Sequence, residues 1–294
     1  MPSDHFTNRF ISLSKFLGIP SDNNVGGGQL GRMLAASASL LNVKVIILDT
    51  GEHAPAKQIL APLKPELTHI DGSFRDAEKI LQLAEKVDIL TVEIEHVDVD
   101  VLEKVAQRQK VRIYPSPSTI RVIQDKYNQK RHLQNVGIAV AEFLDIPKPT
   151  VEAISAAIDK LGFPLMIKSR TLAYDGRGNF VLRNVSQIEE ALTTLKDRPL
   201  YAEKWVNFER EIAVMVVRTV NGTVASYPAV ETVHKENICL LTFAPLRLSN
   251  PATIIKAQRL AESAVLTFEG AGIFGVEMFQ LPDGSDSEPL PGFV

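Results

Sequence analysis

Between residues 43 and 114, short apolar runs alternate with segments of helical period, and a chain with that rhythm has few folds open to it. The runs are 43–49, 88–95 and 111–114, and the helical segments lie near 77–85 and 99–107. Strands spaced by helices of this length pair in parallel through right-handed crossovers, which gives a doubly wound sheet. Ligands of such sheets sit beyond the carboxyl ends of the strands.

Three features fall at that edge. Gly26, Gly27, Gly28, Gln29, Leu30 and Gly31 run into a helix expected to reach about residue 41, and Asp49 closes the strand after it. Glycines 26, 28 and 31 with that aspartate match a dinucleotide fingerprint, so a nicotinamide cofactor stays open here. The strand that should lead into the glycines is poor: residues 10–19 are only moderately apolar, and Pro20, Ser21, Asp22, Asn23 and Asn24 form a turn cluster. Glu93 and Glu95, two apart on an expected strand, point to one face and mark a polar site.

Pro115 and Pro117 end the alternation. Ser118 is read as the cap of one helix to about residue 134, with Gly137 just past its end and Lys126, Lys130 and Arg131 on its solvated face. From Thr150 the pattern becomes α+β. A helix over 151–161 stops at Gly162. The strand 163–168 then ends in Lys168, and the loop 173–179 holds Gly176 and Gly178. Glycines admit backbone N–H groups close to an anion, and a strand-borne lysine adds a point charge, which together suit a phosphate. Ser186 with Glu189 reads as a capping box for a helix to Leu195. An edge strand over 200–206 carries Glu203. The strand 212–220 opens after Glu211, and Asn221-Gly222 turns it into 223–230. Strand 238–243 carries Cys239, Asn250 and Pro251 start a helix to about 268, and strand 273–281 carries Glu277. Lysine and glycine loop suit the phosphates of ATP, an edge strand over 203–206 suits adenine through its backbone, and a buried-strand acid suits Mg²⁺.

Composition removes several classes. The 294 residues are 45% hydrophobic and 23% charged, as in a soluble globular protein of one large or two to three small domains. With 32 basic against 35 acidic residues the net charge is −3, so neither nucleic acid nor an anionic membrane is expected and any phosphate site must be local. The single cysteine allows no intrachain disulfide and no multi-cysteine metal site, which fits a reducing, cytoplasmic compartment. Neither a membrane-spanning run nor a secretory leader is expected.

The segments 26–33, 91–96, 124–126, 174–178 and 275–279 together resemble the N5-carboxyaminoimidazole ribonucleotide synthetases, a family of ATP-grasp enzymes. Residues 91–96 and 123–127 further resemble the fungal version, in which this module is fused ahead of a carboxylase domain. The resemblance implies an α/β chain: a doubly wound pre-ATP-grasp domain over 25–117 and an α+β ATP-grasp domain over 118–284. An atypical segment precedes them over 1–24, and an irregular tail follows over 285–294 in place of the last strands. It also implies a homodimer and the carboxylation of 5-aminoimidazole ribonucleotide with bicarbonate, ATP and Mg²⁺. In that scheme Lys126 and Lys168 hold phosphates, and Ala173, Tyr174, Asp175, Gly176, Arg177, Gly178 and Asn179 form a lid. Glu203, Lys204, Trp205 and Val206 line the adenine pocket, Glu211 takes the ribose hydroxyls, His234 touches the nucleotide and Glu277 ligates the metal. The ribonucleotide lies near Gly27, Gly28, Gln29, Leu30 and Glu93, with Glu93, Tyr174 and Arg177 closest to the reaction. The family's second metal acid falls beyond the turn at 282–284, so the alternative expectation is an inactive fragment with weak or no nucleotide binding.

Overall fold

Five parallel strands form the sheet of the first of two units, which divide between Arg121 and Val122. The computed structural model describes residues 10–14, 29–60, 67–173, 178–195, 198–235, 238–247, 251–282 and 290–291. In chain order the first unit contains β1 (Phe10–Ser14), α1 (Gln29–Leu40), β2 (Lys44–Asp49), β3 (Ile70–Asp71), α2 (Ala77–Ala84), β4 (Ile89–Val92), α3 (Val99–Gln107), β5 (Arg112–Tyr114) and most of α4 (Pro117–Gln124). The strand order is β3-β2-β1-β4-β5.

Strand β1 corrects the sequence reading. It lies at the centre of the sheet, parallel to β2 on one side and β4 on the other, with Leu13 opposite Ile47 and Thr91. Ser12 and Ser14 break its apolar run, so the segment lacks the continuous hydrophobic stretch by which a doubly covered parallel strand is usually seen. Strand β2 shows that stretch: Val45 to Asp49 are all buried. Its alternate residues serve opposite faces. Ile46 and Leu48 join Ile80 and Leu83 of α2 and Leu102 and Val105 of α3, whereas Val45 and Ile47 pack with Ala56 and Ala38 of α1. Asp76 and Asp98 cap α2 and α3 by accepting backbone N–H groups, each contact contributing about 1 kcal/mol. A second correction concerns β4, which ends at Val92. Glu93 and Glu95 lie in the bend that follows, so strand alternation does not set their directions.

The second unit holds α5 (Lys126–Asn135), β6 (Phe143–Ile146), α6 (Val151–Leu161), β7 (Leu165–Ser169), β8 (Asn179–Leu182), α7 (Ile188–Thr194), β9 (Leu200–Lys204), β10 (Arg210–Arg218), β11 (Val224–Ser226), β12 (Val230–Lys235), β13 (Ile238–Phe243), α8 (Pro251–Leu266), β14 (Gly272–Gln280) and β15 (Leu290–Pro291). Strands β6-β9-β7-β8 make one antiparallel sheet, and α6 and α7 cover its Leu165, Ile167, Leu182, Leu200 and Ala202 face. A larger antiparallel sheet runs β13-β12-β10-β14-β15, with β11 added on β10. Helix α8 meets its Ile212, Val214, Val216, Phe274, Val276 and Met278 face through Ala257, Ala261, Ala264 and Val265.

Several sequence expectations are corrected here. The single helix expected from Ser118 is two, α4 and α5, because Asp125 leaves helical geometry and caps α5 by accepting Asn128 N–H at 3.0 Å. Ser186 is not a cap. It lies in a short 3₁₀ turn whose cap is Asn184, and α7 starts only at Ile188. The expected strand over 223–230 divides into β11 and β12, and β9 is an interior strand between β6 and β7 rather than an edge. In the tail Leu290 and Pro291 pair with Phe279 and Met278, so part of the segment expected to be irregular is a short strand. Residue 250, the expected cap of α8, falls outside the described residues.

Candidate active site

Strand β7 alternates cleanly: Leu165, Ile167 and Ser169 are buried, while Met166 and Lys168 face the other side. Met166 stands opposite Glu203 on β9 and Lys168 opposite Tyr201, so Lys168 and Glu203 share a face. Helix α5 covers that face. Its Lys130 is 1% exposed and places Nζ 2.9 Å from Glu203 Oε2, while Lys168 Nζ lies 3.5 Å from Oε1. Burial works to raise the Glu203 carboxyl, but the Lys168 and Lys130 ammonium groups outweigh it and hold Glu203 below the ordinary carboxylate range.

The helix is fixed over the strands at its first turn. Lys126 N–H donates to Arg170 O at 2.8 Å, immediately beyond β7. The Arg170 guanidinium donates back to both oxygens of Asp125, to Oδ2 at 2.6 Å, and reaches Asp145 at 3.0 Å. It also lies 4.7 Å from the centre of the Tyr127 ring, which in turn meets Phe143 edge-on. One aspartate thus caps α5 and clamps the end of β7, which sets Lys126 and Lys168 on neighbouring elements.

The larger sheet contributes acids. Ala213 on β10 is opposite Glu277 on β14, and Glu211 is opposite Phe279, so Glu211 and Glu277 are diagonal neighbours on the face away from α8. His234 on β12 brings Nδ1 against the Glu211 carboxylate, and Thr232, opposite Glu211, has a buried hydroxyl without a hydrogen-bond partner among the described residues. Burial pushes Glu211 up, and the His234 and Lys168 charges only partly offset it. Burial also pushes Glu277 up; His234 opposes the rise, while repulsion from Glu211 adds to it. Two desolvated carboxylates with too little positive charge fit a cation with oxygen ligands such as Mg²⁺. Lys126 and Lys168 act on Glu277 as well, so the cationic and acidic groups adjoin.

The expected site residues divide by place. Lys126, Lys168, Glu203, Glu211, His234 and Glu277 come together in the second unit as described. Lys204 is turned to Glu142 at 2.7 Å, and Trp205 and Val206 follow the end of β9. Gly178, at φ +94°, returns the glycine loop to β8. A Cβ there would stand 3.1 Å from both Ser169 Oγ and Ala173 Cβ, while Gly178 O accepts Ser169 N–H at 2.7 Å. Asn179 opens β8 opposite Lys168. In the first unit Gln29 and Leu30 start α1 and Glu93 lies past β4. Asp49 is buried, with Oδ1 accepting Thr50 N–H, so one of its oxygens serves its own loop. Gly27, Gly28, Tyr174, Asp175, Gly176 and Arg177 lie outside the described residues.

Sequence reading missed Lys130, which it left on a solvated face. Helix α5 reads as polar almost throughout, so nothing in its spacing marks the side turned inward. The one available signal is that Lys130 falls one turn after Lys126.

Two family models match the chain. A "ribonucleotide synthetase preATP-grasp domain" covers residues 23–124 and an "ATP-grasp domain" residues 131–285. The phosphoribosylaminoimidazole carboxylase of Ogataea methanolica is 56% identical over 264 residues, covering 88% of this chain and 47% of that protein. The chain spans about half the length of the fungal relatives it matches. Among solved structures, carboxyaminoimidazole ribonucleotide synthase from Aspergillus clavatus complexed with ATP superposes with a TM-score of 0.86 at 47% identity, over 97% of this chain and 69% of that one. The enzyme of the same organism in complex with ADP and 5-aminoimidazole ribonucleotide gives 0.85 at 46% identity, with the same coverage.

Proposed function

The chain belongs to the ATP-grasp family of N5-carboxyaminoimidazole ribonucleotide synthases, and from that premise we propose that it carboxylates 5-aminoimidazole ribonucleotide at the expense of ATP in purine biosynthesis. The observation that carries the proposal is the meeting of two buried charge groups of opposite excess. Lys130 and Lys168 share the single carboxylate of Glu203, and Glu211 with Glu277 outnumber His234. A magnesium nucleotide supplies the counter-charge to both.

Lys126 and Lys168 take the phosphates, and Gly178 lets the backbone pass close to Ser169 beside them. Glu203 and the segment after β9, from Lys204 through Trp205 to Val206, face the adenine. Glu211 takes the ribose hydroxyls, with His234 orienting its carboxylate. Glu277 holds Mg²⁺, which, when bound, neutralises charge on the transferring phosphoryl group. A bicarbonate oxygen attacks the γ-phosphorus as the bond to ADP breaks, giving carboxyphosphate. The ribonucleotide's amine then attacks the carboxyl carbon, phosphate leaves and the amine loses its proton. The residues' share is positioning, charge neutralisation and exclusion of water from a labile anhydride; no covalent nucleophile is required. Gly27, Gly28, Gln29, Leu30 and Glu93 take the ribonucleotide, with Tyr174 and Arg177 beside the reacting groups. A dimeric state and fusion to a carboxylase domain belong to the same proposal. Among the described residues no helix is long and apolar enough to cross a membrane.

The test is ADP release from Mg-ATP and bicarbonate, with and without 5-aminoimidazole ribonucleotide, using Lys168→Ala as the blank. Release that requires the ribonucleotide and disappears in the variant is expected. Release indifferent to the ribonucleotide, or unchanged in Lys168→Ala, sinks the proposal.

A further inference from the structure

We infer that Lys130 is a positioning residue for nucleotide binding: by holding Glu203 it leaves Lys168 able to exchange that carboxylate for a phosphate oxygen. The inference rests on the ATP reading above. Lys130 itself is not placed to meet a ligand, because its side chain is 2% exposed beneath α5, whereas that of Lys168 is 20% exposed. Both ammonium groups address one carboxylate, but unequally. Lys130 makes the short contact, 2.9 Å to Oε2, and Lys168 the longer one, 3.5 Å to Oε1. The nearer cation neutralises Glu203, so the farther one is loosely held.

A buried carboxylate cannot be left without a cation except at large cost. Without Lys130, Glu203 would draw Lys168 to itself, and the lysine that should meet phosphate would be occupied. Charge also favours this division. Burial and the Lys168 and Lys126 charges press Lys130 towards the neutral form, and Glu203 opposes them. The carboxylate is therefore what keeps the Lys130 and Lys168 ammonium groups together before a polyphosphate arrives.

The chain has one tryptophan, Trp205, immediately after β9, so its fluorescence is the probe for nucleotide arriving at this strand. Titration of the intact chain with Mg-ATP should show Lys130→Met binding at least tenfold more weakly than wild type at about pH 8. The deficit should narrow towards pH 5.5, because Glu203 with one cation fewer protonates more readily and then releases Lys168; wild type should lack that trend. In the Glu203→Gln background no carboxylate captures Lys168, so Lys130→Met/Glu203→Gln should match Glu203→Gln within about twofold. This comparison keeps the test alive if the single variant does not fold, since the double variant leaves no buried charge of that pair unpaired. A deficit equal at both pH values, or an equal deficit in the Glu203→Gln background, would overturn the inference in favour of a packing role. Unchanged affinity in Lys130→Met overturns it outright. A flat wild-type titration removes the ATP reading itself, and is recognised because no variant is needed to see it.

Discussion

The two charged clusters of the second unit differ in how far each is compensated without a ligand. Around Glu203 a single carboxylate serves Lys130 and Lys168 with Lys126 nearby, and the carboxylate is held ionised. Around Glu277 two carboxylates share one imidazole, and both are pushed towards protonation. The first cluster therefore contributes to the empty fold, while the second weighs against it. A site for a magnesium polyphosphate needs both: an excess of cations for phosphate, and acids kept in a place where only a metal and its ligand relieve them.

Glu277→Gln gives the largest expected effect and tests both halves of this contrast. Turnover should fall by about 10²–10³, the size seen when one preorganised electrostatic partner is removed. The melting midpoint of the nucleotide-free protein should rise, because a carboxylate desolvated beside Glu211 is replaced by a neutral amide. Lys168→Ala, equally damaging to turnover, should lower the midpoint by taking a cation from Glu203. If both variants moved the midpoint in the same direction, the contrast between the clusters would be broken. A smaller change is expected for Glu211→Gln. Loss of a charge-assisted contact worth about 1.5 kcal/mol raises the KM for ATP roughly tenfold with kcat near wild type, as ADP-release kinetics at varied ATP would show.

Sequence revealed the acids and lysines better than it revealed what holds them. Lys168, Glu203 and Glu277 interrupt or end apolar strand runs, which marks them in the sequence, and Glu211 stands at the opening of another. Lys130 and β1 were hidden for related reasons. A lysine on a polar helix carries no mark of burial, because its partner Glu203 is 73 positions away in the chain, and two serines in β1 dilute the apolar run of a central strand. The nicotinamide alternative depended on Gly26, Gly28 and Gly31 with Asp49. One Asp49 oxygen accepts Thr50 N–H, and the family is that of ATP-grasp synthases. Boundaries that depended on caps failed where a competing polar side chain stood nearby, as Asp125 divided α4 from α5 and Asn184 took the place of Ser186.

The smallest expected effect is also the most discriminating, because the clusters should respond to pH with opposite sign. Glu211 and Glu277 have native values above the ordinary 4.5, so from about pH 4.5 upward the native state holds more protons than the unfolded chain. Their stability is therefore lost as pH rises through the raised values. Glu203 has a native value below 4.5, so its contribution is present above that pH and fades only as pH falls through the lowered value. As pH rises above the ordinary carboxylate range, the acidic pair loses stability while Glu203 keeps its own. His69 in the first unit complicates a direct reading. Burial lowers its value, its Nδ1 accepts Ile47 N–H and its Nε2 lies 3.1 Å from Leu60 O, so its protonation below pH 6.5 works against that unit. Comparing Glu211→Gln/Glu277→Gln with wild type at each pH cancels that contribution. The variant's advantage in melting midpoint should grow as pH rises above the ordinary carboxylate range and shrink on acidification, by about 2–4 °C for each kcal/mol involved. An advantage that grew on acidification would mean that the carboxylates are stabilised by His234 rather than strained by each other, and the acidic cluster would then be a structural ion pair.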